Sequence, residues 1–507
     1  MPDTPISLSL APDHHRGAVD RRLFGSFVEH MGRCVYTGIY EPDHPSADDR
    51  GFRGDVAALV EELGVSLVRY PGGNFVSGYD WRDGIGPAED RPRRLDLAWR
   101  SIETNQVGTD EFLGWAAERG VEPMMAVNLG TAGIVEAAAL VEYCNHPGDT
   151  HWSDLRRRHG HADPYAVKLW CLGNEMDGPW QTGHMDAATY GPLAANAARS
   201  MKLVDPSIEV VACGSSGHQM PTFGYWESTV LEHAFDEVDY VSLHAYYQEH
   251  DGDRASFLAS GAGMDRFIDD VVATVDAVAA RKHRRRRLGL SFDEWNVWYQ
   301  SRFAGPVNTD VDVSGPRIED VYSKLDAVVV GDLLVSLLNH SDRVRVACQA
   351  QLVNVIAPIM TEPGGEAWRQ SIFFPVATTF GTARGNSLDV GVSAPTADTA
   401  AHDEVPTVAA AATHDPETGQ VALFVTHRGG TDTDVLVDHH AFDGWRVRSA
   451  HVVAADDKGP LHGAEAAAQA RPVPLESVRT EAGTTTLRMP PESWAAVVVD
   501  TTGGASS

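Results

Sequence analysis

Two glutamates, Glu175 and Glu294, each follow a short apolar run and each stand near an asparagine and a tryptophan. The first lies in WCLGNEMDGPWQ and the second in SFDEWNVWY. An apolar strand rarely ends on a carboxylate without cause, because a buried charge is costly unless it is paired. Two carboxyl groups about 5–5.5 Å apart are what a retaining glycosidase requires, one as acid/base and one as nucleophile. These glutamates are therefore the first candidates for chemistry.

Polar, acidic and aromatic residues follow most of the other apolar runs as well. They are Glu29, His30, Arg69, Tyr70, Asn74, Asn128, Asn174, His244, Tyr246, Tyr247, Trp298, Gln351 and Asn354. This composition is typical of a sugar-binding rim. Two alternatives stay open: Arg69 is equally explained as a buried cation that forms salt bridges inside the fold, and Trp99, Trp180, Trp298 and Tyr246 as packing residues.

The elements that must position these residues alternate between strand-like and helix-like patterns. Candidate strands are 23–28, 66–69, 123–128, 167–172, 209–213, 240–243, 288–292 and 350–355, and the main helical patterns are 55–63, 110–119, 134–144, 187–203, 264–281 and 320–338. Eight strands interleaved with helices predict a (β/α)8 TIM barrel, whose C-terminal rim carries function. A doubly wound open α/β sheet shares this periodicity, but no glycine-rich phosphate motif follows the first strand.

The sequence changes character from about Asn386, where short alternating strands such as VALFVTHRGG and AAVVVD are separated by Gly, Asp and Pro. They predict a C-terminal β-sandwich of jelly-roll type, which the strand-like ISLSLA near the N-terminus could join. The predicted domains are therefore 1–18, an N-terminal strand of the sandwich; 19–380, the catalytic barrel; and 381–507, the sandwich. The alanine-rich stretch 461–474 is predicted to be a loop insertion.

Charge and motif content exclude several classes of function. The formal net charge of −30 argues against nucleic acid and anionic membranes as partners. No HExxH spacing or GxSxG elbow is present, so we expect neither a catalytic metal, nor a cofactor, nor a serine nucleophile. The five cysteines form no CxxC pair, and neither a signal peptide nor an apolar stretch of eighteen residues is visible. These features predict buried, reduced thiols in a cytoplasmic protein.

Taken together, the motifs resemble those of the α-L-arabinofuranosidases of glycoside hydrolase family 51. The resemblance spans nearly the whole chain, and its residues are FGSFVEHMGRCVYTGIYEP, LVRYPGGNFVSGYDWRDGIGP, SIETNQVGTDEF, WCLGNEMDGPWQ, LHAYY, SFDEWNVWY and QLVNVIAPIM. Long motifs in a fixed order are far more specific than any single one. The loops HAYYQEHDGDRA and MPTFGYWES differ from what we expect of close relatives. They should shape the side of the active site that holds the leaving group.

The resemblance implies an exo-acting retaining hydrolase that releases terminal α-L-arabinofuranosyl groups from oligosaccharides derived from arabinoxylan or arabinan. It implies Glu175 as acid/base, Glu294 as nucleophile, and a homo-oligomer, often a hexamer. The residues implied to hold the furanose and the nucleophile are Glu29, Arg69, Asn74, Asn174, Tyr246 and Gln351, to which the rim aromatics Trp99 and Trp298 are added. The alternatives are a β-xylosidase or endoglucanase of the same clan, and a non-catalytic sugar-binding protein.

Overall fold

The computed structural model describes residues 6–303, 311–456 and 458–501 and contains a closed barrel of eight parallel strands. The strands are Gly25–Phe27, Leu67–Tyr70, Glu122–Val127, Leu169–Leu172, Glu209–Ala212, Tyr240–Tyr247, Gly289–Val297 and Val344–Gln349. They neighbour one another in chain order, and the eighth pairs with the first. The prediction of a TIM barrel is thereby confirmed, and the open-sheet alternative is excluded.

Helices lie on the outside of the barrel, where all except Phe373–Thr382 connect successive strands; that helix follows the eighth strand. They are Gly54–Leu63, Thr109–Arg119, Ile134–Asn145, His151–Arg158, Ala187–Val204, Tyr225–Ala234, Arg254–Leu258, Ser260–Arg281, Lys324–Asn339 and Phe373–Thr382. Among the described residues, no helix combines the length and the apolar character needed to cross a bilayer. All five cysteines are buried and unpaired, as expected.

The eighth strand was predicted one segment too late. The structure places it at Val344–Gln349, and residues 350–355 form the loop that follows. Arg343 and Arg345 gave this segment a polar appearance, although Val344, Val346 and the residues after them are buried in the barrel. Gln351 therefore leaves the strand end and reaches the rim from a loop.

The sixth and seventh strands are longer than predicted, and both continue into the site. Tyr240–Tyr247 includes Tyr246, and Gly289–Val297 includes Glu294, which was expected just after a strand. The pairing register shifts between Ser242 and His244 and again between Phe292 and Trp295. Such irregularities in strand pairing are frequent beside active sites, where they re-aim side chains.

Two further sheets form a β-sandwich. The five-stranded sheet contains, in spatial order, Gly391–Ser393, Ile6–Ser9, Thr433–Asp438, Thr484–Met489 and Val478–Glu481. The seven-stranded sheet contains His15–Ala18, Asn386–Leu388, Val408–Asp415, Gln420–His427, Ser493–Asp500, Arg446–Ala454 and Val473–Pro474. The N-terminal segment thus contributes one strand to each sheet. The domain boundaries themselves stay a prediction, and residues 1–5 and 502–507 of the predicted domains lie outside the described residues.

The central strands of the seven-stranded sheet, Gln420–His427 and Ser493–Asp500, are buried on both faces. In Gln420–His427, Val421, Leu423 and Val425 point into the sandwich core, whereas Ala422 and Phe424 pack in the cluster that includes the barrel helices. This alternation follows from the two-residue period of a strand. The sandwich is therefore fixed against the outside of the barrel rather than tethered by a linker.

The alanine-rich stretch 461–474 is not a simple loop. It contains the short helix Gly463–Ala467, the turn Ala468–Ala470 and the strand Val473–Pro474. Alanine is the strongest helix former, and Ala467 and Ala470 are buried. The prediction of a loop was wrong because it gave composition more weight than propensity.

Candidate active site

An open cavity lies at the C-terminal rim of the barrel, with about 420 Å³ of empty space when the solvent at its mouth is included. Eight of its lining residues are Glu29, Asn74, Trp99, Glu175, Tyr246, Glu294, Trp298 and Gln351, all named from the sequence. Phe27, Met31, Ile318, Val355 and Ile356 supply apolar walls, and Gly73 completes the lining. The structure therefore brings together carboxylates, amides and aromatic rings from distant parts of the chain.

Glu294 is held from two sides. Its Oε1 accepts a hydrogen bond from Arg69 at 2.7 Å, and its Oε2 accepts one from the Tyr246 hydroxyl at 2.7 Å. Arg69 also donates to Asn174 Oδ1 at 2.7 Å. Two partners of this kind, one of them a cation, fix the orientation of the Glu294 carboxyl group.

Glu175 ends the fourth-strand segment in a tight turn. Its φ of 43° lies in the left-handed region, which residues other than glycine adopt only occasionally. Its Oε2 accepts a hydrogen bond from the Trp180 indole at 2.6 Å, and its Oε1 lies 2.9 Å from His244 Nδ1. The Trp180 side chain is half exposed, whereas Glu175 itself is buried and lines the cavity.

The two glutamates lie close enough to act on one bond. Ligand atoms of Glu175, His244 and Glu294 all lie within 4.8 Å of one another. This separation matches the short spacing of retaining glycosidases rather than the roughly 6.5–9.5 Å that inverting enzymes leave for a water molecule. The geometry therefore suits double displacement.

His244 was noted at its strand end but was not among the predicted site residues. Its Nδ1 lies 3.6 Å from Glu294 Oε2 and its Nε2 lies 3.3 Å from Asp293 Oδ1. Burial alone would lower the pKa of His244, but the charges of Glu294 and Asp293 and the hydrogen bond to Glu175 outweigh it and raise that pKa to about 10. Residues i and i+2 of a strand share a face, so Tyr246 could have indicated His244.

The charge on His244 predicts a pH-dependent stability. Its pKa is about 10 when folded against a reference value of 6.5, so the folded protein binds this proton more tightly. The resulting stabilisation is complete below pH 6.5 and is lost as pH rises toward 10. We expect the Tm of His244→Gln to fall less steeply than that of wild type between these values. His218→Gln, at a surface histidine paired with Asp270, is the control and should keep the wild-type slope. Parallel curves for wild type and His244→Gln would contradict the charge assignment.

Glu29 has a different environment from the other two glutamates. Its Oε1 accepts from the Phe75 amide at 3.0 Å and from the Trp99 indole at 2.9 Å, and its Oε2 accepts from Gln351 at 3.0 Å. Burial raises the pKa of Glu29 to about 7, against the opposing effect of the first two donors. At neutral pH this carboxyl group is therefore present in both its protonated and its ionised form. The first can donate a hydrogen bond to a sugar hydroxyl, and the second can accept one.

The glycines of the PGGN motif are explained by close approach. A Cβ on Gly72 would lie 2.4 Å from Glu29 Cγ, and one on Gly73 would lie 3.1 Å from Glu294 Oε1. The loop after the second strand therefore passes directly beside both carboxylates and delivers Asn74 to the cavity.

Arg69 and Asn174 lie behind the cavity rather than on its surface. Both are buried, and Asn174 Nδ2 donates to Asn74 Oδ1 at 3.3 Å. Arg69 forms salt bridges with Asp293 and Glu294, so the interpretation as a buried cation is confirmed, and its role in holding the nucleophile stays a prediction. Burial opposes its charge, but Asp293 and Glu294 outweigh it and hold the pKa of Arg69 well above its usual range.

A larger cavity of about 800 Å³ lies between the loop after the second strand and the helix Ile134–Asn145. Its floor is aliphatic, and its acidic residues Asp80 and Glu136 are both paired with Arg82. Because its carboxylates are neutralised at the surface, it is the weaker candidate for catalysis.

Comparison with known proteins tests the family resemblance that the sequence motifs carry. Residues 59–260 match the model of the α-L-arabinofuranosidase 1 domain, and residues 293–493 match that of the α-L-arabinofuranosidase C-terminal domain. An intracellular exo-α-(1→5)-L-arabinofuranosidase of Halalkalibacterium halodurans is 53% identical over 438 residues, 86% of this chain and 87% of the relative. The chain belongs to the family 51 α-L-arabinofuranosidases.

Other members of family 51 align over almost the whole length. An exo-α-(1→6)-L-arabinofuranosidase of Bifidobacterium longum is 50% identical over 505 residues, 96% of both chains. The solved structure of the family 51 α-L-arabinofuranosidase AbfB from Bifidobacterium longum superimposes with a TM-score of 0.93 at 44% identity, over 98% of this chain and 99% of that one. The barrel and the sandwich are thus common to these arabinofuranosidases.

Proposed function

We propose that the protein removes terminal, non-reducing α-L-arabinofuranosyl groups from oligosaccharides with retention of configuration. The observation that supports this most is the placement of Glu175 and Glu294 within 4.8 Å, in a small rim cavity lined by amides and aromatic rings. The cavity is small and lined from several sides, which suits the binding of a single terminal sugar ring and hence exo action. The names of the related enzymes support the choice of arabinofuranose.

In this proposal Glu294 attacks the anomeric carbon while Glu175 gives its proton to the glycosidic oxygen, so that the carbon–oxygen bond breaks and the leaving sugar departs neutral. The result is a glycosyl ester on Glu294. Glu175, now ionised, takes a proton from water as the water oxygen attacks the same carbon and releases Glu294. Arg69 and Tyr246 orient the nucleophile, and His244 lies between the two carboxyl groups.

The remaining cavity residues would hold the sugar. Glu29, Asn74 and Gln351 offer hydrogen-bonding groups, and Asn174 supports Asn74 and Arg69 from below. Trp99 and Trp298 would form the walls, where a flat furanose ring can pack. Such polar groups are left unpaired when a hydroxyl is missing or misplaced, which discriminates against other sugars.

Substrate choice gives a direct prediction. An aryl α-L-arabinofuranoside should be cleaved with a kcat/KM at least about 100-fold above that of the aryl β-D-xylopyranoside, because misplaced hydroxyls leave buried groups unpaired. Long β-glucans should not be cut internally, since the cavity holds one ring. Kinetics on a panel of aryl glycosides is the measurement. Equal cleavage of the xyloside would favour a β-xylosidase, and mid-chain scission of a β-glucan would favour an endoglucanase. No turnover of any glycoside would favour a non-catalytic binding protein.

Metal removal should have no effect. Glu175, His244 and Glu294 have the spacing of a metal site, but a protonated imidazole has no free lone pair for a metal. The two carboxylates supply acid, base and nucleophile on their own. We expect activity to be unchanged after prolonged dialysis against a chelator, with mock-dialysed protein as the control. Loss of activity that one added metal restores would contradict this assignment.

Natural substrates, location and assembly complete the proposal. The relatives named above differ in linkage, (1→5) in one and (1→6) in another, and we propose oligosaccharides derived from arabinoxylan or arabinan as the substrates, with the linkage left open. Several relatives carry the word intracellular in their names, which supports a cytoplasmic location. We further propose a homo-oligomer, with a hexamer of the 54.8 kDa chain as the expected state.

A further inference from the structure

Trp99 reaches the cavity from a small β-hairpin whose strands are Arg94–Leu95 and Ile102–Glu103. Asp96 fixes the turn, because its carboxylate accepts from the amides of Ala98 at 3.1 Å and Trp99 at 2.7 Å. The Trp99 indole then donates to Glu29 at 2.9 Å. The position of this donor in the sugar pocket therefore depends on the position of the hairpin.

The hairpin is too short to fix itself. Each strand has two residues, and isolated two-stranded hairpins are at best marginally stable in water. Arg94, Leu95 and Leu97 are exposed, whereas Asp96, Trp99 and Ser101 are buried. The Ile102 amide donates to the Asp312 carbonyl oxygen at 2.8 Å, and Arg94 pairs with Asp83. The remaining anchor is a buried side chain at the base of the hairpin.

Glu103 provides this anchor. Its Oε2 lies 2.8 Å from His30 Nδ1, and its Oε1 accepts from the Tyr36 hydroxyl and, at 2.6 Å, from the Asn105 amide. Every partner is buried. Burial alone would raise the pKa of Glu103, but the His30 charge and these hydrogen bonds outweigh it and lower that pKa. The carboxylate is thus ionised and fully engaged.

The anchor leads directly to the pocket. His30 follows Glu29 in the chain, and its Nε2 lies 2.7 Å from the hydroxyl of Tyr70, which opens the segment leading to Asn74. Through His30, Glu103 therefore joins the hairpin that carries Trp99 to two of the segments that supply polar groups to the cavity, those of Glu29 and Asn74. Glu103 itself does not line the cavity.

We propose that Glu103 is a positioning residue: its buried carboxylate fixes the hairpin so that Trp99 donates to Glu29, and it thereby sets the KM for a sugar that it does not touch. This inference rests on the proposed role of Glu29 and Trp99 in holding the arabinofuranosyl group. A structural role alone would lower stability without changing KM.

The test is a double-mutant cycle with Glu103→Gln and Trp99→Phe, assayed on an aryl α-L-arabinofuranoside. We expect Trp99→Phe and Glu103→Gln each to raise KM about tenfold, as the loss of one binding hydrogen bond does, with kcat within about threefold. In the Trp99→Phe background, Glu103→Gln should change KM by less than about twofold. Tyr36→Phe, which removes one donor to Glu103, should raise KM by a smaller factor and serves if Glu103→Gln does not fold.

Asp110→Asn is the matched control. Asp110 is a buried carboxylate that accepts from the hydroxyls of Tyr143 and Tyr165, away from the hairpin. The Asp110→Asn substitution should lower Tm and leave KM unchanged. Independent, multiplying effects of Glu103→Gln and Trp99→Phe, or an unchanged KM in Glu103→Gln and Tyr36→Phe, would overturn the role of Glu103 alone. An unchanged KM in Trp99→Phe would instead overturn the proposed pocket.

Discussion

Replacing Glu294 with Gln is expected to lower kcat/KM by a factor of about 10⁴ or more on every substrate, because no glycosyl ester can form. The loss should be the same for good and poor leaving groups, since the missing atom is the nucleophile itself. Steady-state kinetics on aryl α-L-arabinofuranosides of different leaving-group acidity is the measurement. Glutamine keeps the size of the side chain, so the loss cannot be attributed to an altered cavity shape.

Glu209→Gln is the control for this experiment. Glu209 starts the fifth barrel strand and pairs with Arg22 at the opposite end of the barrel from the cavity. Its replacement should leave kcat/KM within about twofold of wild type. Substantial turnover by Glu294→Gln, with Glu209→Gln intact, would remove Glu294 from the role of nucleophile.

Replacing Glu175 with Ala is expected to give a loss that depends on the leaving group. A phenol with strongly electron-withdrawing substituents leaves without protonation, so the first step should survive and the glycosyl ester should accumulate as a burst. A sugar leaving group needs the proton, and its release should fall by about 10³-fold or more. The measurement is pre-steady-state phenol release beside steady-state release of arabinose from an oligosaccharide. Equal losses on both substrates would contradict the acid/base role.

The dependence of kcat/KM on pH gives a separate check on the acid/base role of Glu175. If Glu175 supplies the proton, kcat/KM of wild type should be bell-shaped, with limbs that belong to the coupled pair of carboxyl groups. The alkaline limb should flatten in Glu175→Gln when the substrate is an activated aryl glycoside. A retained alkaline limb would mean that another group donates the proton.

The barrel and the rim residues could be predicted because strand periodicity and residue order along the chain determine them. Glu175 and Glu294 each follow apolar residues that alternate with helical patterns, and eight such units have few ways to close. The eighth strand was misplaced because Arg343 and Arg345 give the segment a polar appearance. Arg343 precedes the strand and is buried against Asp276, and Arg345 pairs with Asp20.

The contacts within the site could not be predicted in the same way. The bond between His30 and Glu103 joins residues 73 positions apart, and that between Arg69 and Glu294 spans 225. No local pattern encodes such pairs, because they depend on how loops pack over the rim. The charge of His244 is likewise a property of its three carboxylate neighbours, which only the folded barrel brings together.

The most direct test of the central claim is the configuration of the sugar azide that Glu175→Ala forms from an activated aryl α-L-arabinofuranoside in the presence of azide. Azide needs no general base, so it should attack the glycosyl ester on Glu294 from the face that the leaving group vacated. NMR should therefore show α-L-arabinofuranosyl azide, with retained configuration and accelerated turnover. The β-azide from this variant would reverse the roles of Glu175 and Glu294 and contradict the account.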